Sequence, residues 1–120
     1  MNTAVLSPAY EMVEIGRIPV DGLPLRRAQE IVLSRMRMKH QGLRVIDEPV
    51  NLRVGKNEAL RWSYAWPSKT GLTIYERNTL IAYEGSVRTV TARTARSDYK
   101  SYLEFYDRIV MTFRPNEPAK

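Results

Sequence analysis

The chain has 120 residues and a formal net charge of +6 at pH 7, with 43% hydrophobic and 27% charged residues. This composition is typical of a globular domain and excludes an intrinsically disordered chain. The sequence contains no cysteine, which excludes a disulfide framework, a thiolate nucleophile and a cysteine-ligated metal. We therefore expect a single domain over residues 1–120, with residues 115–120 as a frayed polar tail.

Membrane insertion and secretion are not expected. No apolar run approaches the roughly 20 residues that a membrane-spanning helix requires. The first eight residues also lack the basic leader and apolar stretch of a secretory signal. The prediction is a cytoplasmic protein, and the absence of cysteine agrees with a reducing compartment.

The first part of the chain is predicted to form a strand pair and a helix. Short strands are expected at residues 3–6 and 11–18, where apolar and polar residues alternate. Apolar residues then recur at helical spacing over residues 25–36. Pro24 suits the start of this helix, because its missing N–H costs nothing there. Gly42 suits the end, because glycine adopts the left-handed conformation without penalty.

The middle of the chain is predicted to form most of a sheet. A strand at residues 43–46 precedes four consecutive strands between Asn51 and Ala92, which turn residues separate into an antiparallel meander. One of these strands places apolar and aromatic residues at every second position, which is typical of a half-buried strand. We interpret its aromatic face as core rather than as a platform for stacked bases. The alternating residues are Leu60, Trp62, Tyr64 and Trp66.

A second helix is predicted at about residues 98–113, with Ser97 or Asp98 as its cap. Its apolar residues follow the helical i, i+3, i+4, i+7 pattern from Tyr99 to Phe113. The predicted fold is α+β: an antiparallel sheet of about six to seven strands with helices packed on it. The expected order is strand pair, helix, strand, meander and C-terminal helix.

No residues in the sequence combine the chemistry and spacing of a catalytic or metal site. The single histidine, His40, has no spaced acidic or cysteine partner, and we interpret it as a surface residue at a helix end. Ser97 and Lys100 have the S-x-x-K spacing, but the partner motifs of penicillin-recognising enzymes are absent. We therefore predict no catalytic residues, no metal and no cofactor.

Four segments carry a resemblance to a known family. They are residues 13–17 (VEIGR), 42–47 (GLRVID), 59–66 (ALRWSYAW) and 106–114 (YDRIVMTFR). With the order of the predicted elements, they resemble DcrB/PsbP-like domains, and more closely the cytoplasmic Eag chaperones of bacterial type VI secretion. None of the four is a catalytic signature.

The resemblance implies a non-enzymatic, homodimeric adaptor. Eag chaperones hold the apolar N-terminal transmembrane helices of secretion effectors in a groove and shield them from water. A concave, largely apolar sheet face is suited to this task. Two polar residues, Glu76 and Asn78, are expected to bond polar atoms of the client, with an ordinary sheet surface as the alternative. The predicted groove consists of Val5, Val13, Ile15, Leu72, Ile74, Glu76 and Asn78.

Two other functions stay open. A DcrB/PsbP-like module with another, acidic protein partner predicts no groove and salt-sensitive association. A nucleic-acid-binding domain predicts an exposed tryptophan ladder and affinity that falls steeply with salt. We expect no nucleic-acid partner, because the lysines and arginines are scattered singly and form no run of five or six.

Overall fold

A computed structural model describes residues 3–6, 12–18 and 22–112, which form one antiparallel sheet with a helix on each face. The elements are β1 (Thr3–Leu6), β2 (Met12–Ile18), α1 (Leu25–Lys39), β3 (Arg44–Val54), β4 (Asn57–Pro67), β5 (Thr73–Tyr83), β6 (Ser86–Thr94) and α2 (Tyr99–Met111). The strand order is β1-β2-β6-β5-β4-β3, so the first two strands pair beside the last one. The α+β class is confirmed. No helix in these ranges is long and apolar enough to span a membrane.

The described residues form six strands, fewer than the seven at the upper end of the prediction. The strands expected on either side of Glu48-Pro49 are one continuous strand, β3, paired with β4. Its register shifts between Val45 and Asp47 and again between Asp47 and Val50. Because a bulge takes up extra residues without ending the pairing, the strand runs through a segment that the sequence suggested was a break.

The alternating residues of β4 form the core beneath α1, as predicted. Trp62 and Tyr64 have no exposed surface, and Trp66 is 5% exposed. Ala28 of α1 packs in the same cluster, together with Leu80 of β5. The interpretation of the aromatic ladder as core is therefore confirmed.

The second helix, α2, packs on the opposite face of the sheet. Its Leu103 is fully buried, and its Val110 clusters with Ile81 and Val90 of the sheet. Asp98, one of the two residues predicted as the cap, is the N-cap residue, but its side chain makes no capping hydrogen bond. Its carboxylate instead accepts hydrogen bonds of 2.7 and 2.9 Å from the guanidinium of Arg96, and this pairing lowers the pKa of Asp98.

The end of α1 lies close to the turn between β4 and β5. The helix ends at Lys39, and Gly42 has a φ of +79°, the left-handed conformation expected for it. A Cβ at Gly42 would lie 3.2 Å from the ring of Pro67. This close approach places His40 directly beside Trp66, with ring centroids 4.0 Å apart.

Candidate functional site

The residues predicted to form one groove lie on both faces of the sheet. In the register of β4 and β5, Ile74, Glu76 and Asn78 stand opposite the aromatic residues of β4 and share the α1 face. Val13 and Ile15 of β2 instead pair with Ala92 and Val90 of β6, on the α2 face. Val5 of β1 is paired with Val13. The structure therefore does not bring the seven residues together into one surface.

The three residues on β5 are also buried within this chain. Their exposed fractions are 5% for Ile74, 1% for Glu76 and 4% for Asn78, whereas Leu72 precedes the strand and is 44% exposed. Alternation along a strand shows which residues share a face, but it does not show which face another element covers. For this reason the sequence analysis assigned Ile74, Glu76 and Asn78 to an open groove, whereas the structure buries them.

Glu76 lies at the centre of a buried polar network. Its carboxylate accepts hydrogen bonds from the Tyr64 hydroxyl and, at 2.6 Å, from the Nε of Arg93. The Asn78 side chain donates to the Tyr64 oxygen at 2.8 Å and accepts from the Thr91 hydroxyl at 2.8 Å. Burial, with the adjacent Glu76 charge and hydrogen bond, raises the pKa of Tyr64 far above its ordinary value. The phenol therefore stays protonated and serves as a hydrogen-bond donor.

This network has the character of a structural element. Each of its five side chains has a hydrogen-bond partner, and none is a nucleophile beside a general base. Trp62 stands opposite Asn78 but does not belong to the network. Its indole N–H is buried and has no hydrogen-bond partner among the described residues. No group of three or more histidine, cysteine, aspartate or glutamate side chains in the described part of the chain could hold a metal ion.

An apolar cleft lies between β2 and α2, and it contains part of the predicted groove. Ile15 is 39% exposed at its margin, and Ile109 of α2 is 46% exposed facing it. The cleft has a volume of about 160 Å³. The apolar stripe of α2 was visible in the sequence as residues at helical spacing. Only the packing of the helix shows that the sheet leaves part of this stripe uncovered. The β2–α2 cleft is lined by Val13, Ile15, Val90, Tyr106, Ile109, Val110 and Thr112.

The other side of α2 is held to the sheet by charged groups. The carboxylate of Asp107 accepts a hydrogen bond from Arg77 and lies 3.5 Å from the guanidinium of Arg61. Arg77 also donates to Ser63 at 2.9 Å and to Asp47 at 3.1 Å. These contacts join α2 directly to β4 and β5, and Arg77 links them to Asp47 of β3. On the side of the helix towards β2, Ile109 is left exposed.

His40 is more than the surface residue expected from the sequence, because its ring stacks on Trp66 and is half-buried. Burial lowers the pKa of His40 below its ordinary value of 6.5, and the positive charges of Lys39 and Arg93 lower it further. The folded protein therefore favours the neutral imidazole.

This preference makes stability dependent on pH. Below about pH 6.5 the unfolded chain binds a proton at His40 more readily than the folded chain does, so the free energy of unfolding falls as the pH falls. The loss levels off once the pH is below the folded-state pKa. Urea unfolding between pH 7.5 and pH 5 should therefore show a shallower pH dependence for His40→Gln than for the parent protein. Identical slopes would contradict the assignment.

Comparison with models of known protein families gives no match, and comparison with curated proteins also gives none. A solved structure does have a similar fold. It is the crystal structure of a protein of unknown function, PA94 from Pseudomonas aeruginosa, described as a candidate regulator. The two chains superpose with a TM-score of 0.72 at 16% sequence identity, over 98% of this chain and 83% of that one. At this level of identity the likeness supports the fold.

Proposed function

We propose that this protein is a non-enzymatic chaperone that binds an apolar helical segment of another protein and keeps it in solution. The client implied by the sequence resemblance is the N-terminal transmembrane region of a type VI secretion effector, held in the cytoplasm until the effector is loaded. The observation that carries the proposal is the β2–α2 cleft, whose apolar side chains are left open by the packing of α2.

The exposed apolar residues of this region are arranged so that a helix can lie along them. Phe105 and Ile109 are one helical turn apart on α2, and they are 53% and 46% exposed. Ile15 contributes a third exposed side chain from the neighbouring strand. Covering such side chains with a client helix is favourable by about 25 cal/mol for each Å² of apolar surface removed from water. The apolar face of a client helix is stabilised in the same way when it is removed from water.

Of the two alternative functions, nucleic-acid binding is the less well supported. A stacking surface requires exposed aromatic faces, whereas the tryptophans of β4 lie in the core beneath α1. A protein-binding module with an acidic partner predicts salt-sensitive association and no apolar groove. The open β2–α2 cleft therefore favours the chaperone over this module.

The proposal is tested by co-expression with the apolar N-terminal fragment of an effector encoded beside the gene for this protein. We expect the fragment to remain soluble and to co-purify. Ile15→Asp and Ile109→Asp place a charge in the β2–α2 cleft and should abolish this effect, because a carboxylate loses its hydration there. Val50→Asp is the matched control, since Val50 is 51% exposed on β3, at the opposite edge of the sheet.

Light scattering of the purified protein tests the implied dimer. The expected result is a homodimer that binds the fragment. A protein that never improves the solubility of the fragment would contradict the chaperone proposal. Equal retention of the fragment by the two cleft variants and by Val50→Asp would also contradict the proposal, because the cleft would then not be the binding surface.

A further inference from the structure

A second recess lies between the end of α1 and the turn that joins β4 to β5. Its volume is about 730 Å³. Trp66 and Pro67 form its apolar part, and the imidazole of His40 stacks on the indole of Trp66. We call this recess the His40 pocket; its lining residues are Lys39, His40, Gln41, Trp66, Pro67, Ser68 and Lys69.

Among the described residues, the His40 pocket is lined by positive charge and by no acidic side chain. Lys39 and Lys69 are both exposed, and neither forms an ion pair among the described residues. None of the lining residues in the described part of the chain is acidic. The guanidinium of Arg93 lies 5.6 Å from the Trp66 ring, and its charge is shared with Glu76. An anion bound here would therefore face two ammonium groups that have no ion-pair partner in the described part of the chain.

Besides the lysines, Gln41 is the lining residue whose side chain is open to a ligand, since it is exposed at the margin of the His40 pocket. The hydroxyl of Ser68 is already engaged within the turn, where it is 2.9 Å from the Thr70 hydroxyl and accepts a hydrogen bond from the backbone N–H of Leu72. The turn is thus held in shape by its own contacts, which leaves Lys69 projecting from an ordered loop.

We propose that the His40 pocket binds an acidic peptide segment of a partner protein, with carboxylates paired to Lys39 and Lys69 and an apolar side chain packed beside His40 and Trp66. The two lysines belong to different elements, α1 and the β4–β5 turn, so they suit carboxylates spaced along an extended chain. Binding through both ammonium groups at once selects a peptide over a single acidic residue.

The geometry favours carboxylates over phosphate. Dense phosphate charge is commonly held by the backbone N–H groups of a helix N-terminus or by the bidentate fork of arginine. The His40 pocket instead adjoins the C-terminus of α1, where the partial charge of the helix is negative. Its cations are lysines, which act as point charges on flexible stems. A singly charged carboxylate fits this environment better than a phosphate dianion.

This site is independent of the proposed chaperone function. The His40 pocket is on the α1 face of the sheet, whereas the β2–α2 cleft is on the opposite face. A protein that fails to hold an apolar client can therefore still bind an acidic peptide, and the two outcomes are separable by experiment.

The test is titration of a fluorescently labelled peptide of four glutamates around one leucine, followed by fluorescence anisotropy at low salt. We expect saturable binding that weakens as salt is added. Lys39→Met and Lys69→Met should each weaken binding by about three- to fivefold. Lys56→Met is the matched control, because Lys56 is an exposed lysine in the β3–β4 turn, outside the pocket. This control should leave the affinity unchanged.

Two results would overturn the proposal. Equal loss of affinity in all three lysine variants would show that the peptide responds to the overall positive charge and not to the pocket. Competition by inorganic pyrophosphate that is stronger than by the unlabelled peptide would assign the pocket to phosphate. Circular dichroism of each variant should match that of the parent protein, since all three lysines are exposed.

Discussion

Arg93→Met is expected to lower the free energy of unfolding by about 3 kcal/mol. The substitution removes the guanidinium that bonds the carboxylate of Glu76 at 2.6 Å. The Glu76 side chain is 2% exposed, so water cannot replace the lost partner. Tyr64 still donates a hydrogen bond to this carboxylate, but no other ion pair to it exists among the described residues. Urea or guanidinium unfolding of the purified variant measures the change.

The matched control removes both charges of the pair. Replacing Glu76 with Leu in the same chain as Arg93→Met should recover only part of the lost free energy. No buried charge is then left unpaired, but the buried Tyr64 hydroxyl loses its acceptor. A loss below about 1 kcal/mol in the single variant would mean that water solvates Glu76. An equal loss in the double variant would show that the arginine stabilises the fold through contacts other than its pair with Glu76, among them its packing on Trp66.

Leu103→Ala should lower the free energy of unfolding by about 3 kcal/mol. Leu103 is fully buried where α2 packs on the sheet, so its truncation removes apolar contact and leaves a cavity. Phe105→Ala on the same helix is the control. Because Phe105 is 53% exposed, we expect its loss to change stability by less than about 1 kcal/mol. Chemical unfolding of both variants under the same conditions measures the two changes in the free energy of unfolding.

The same two variants separate stability from binding. Phe105→Ala should reduce retention of an apolar client while the protein remains as stable as its parent, since Phe105 lies on the exposed apolar side of α2. Equal destabilisation of both variants would contradict the packing of α2 in which Leu103 is buried and Phe105 is exposed. If Phe105→Ala retained the client fully, the surface used for binding would not extend along α2.

The helix α2 illustrates how packing creates a binding surface. One side is fixed by Asp107, which two arginines of the sheet contact. The side that packs on the sheet is anchored by two buried residues, Leu103 and Val110. The third side, with Phe105 and Ile109, is left partly uncovered. The apolar cleft lies between this partly uncovered side of the helix and β2.

The sequence by itself determined the local elements of this protein. The alternation around Trp62 predicted the strand and its buried face, and the helical spacing of apolar residues predicted α1 and α2 to within a few residues of their observed ends. These signals are reliable because they arise from the geometry of a single element. A strand exposes every second residue on one face, and a helix repeats every 3.6 residues.

Only the tertiary structure decided which faces are covered and which residues meet. Val13 and Ile15 share their face with α2, whereas Glu76 and Asn78 lie under the α1 side in a buried network. Strand order and the side on which each helix crosses depend on contacts between residues far apart in the chain. Period-2 alternation shows which residues share a face of the sheet, but it does not show which other element covers that face. The β2–α2 cleft and the His40 pocket exist only because separate elements come together in space.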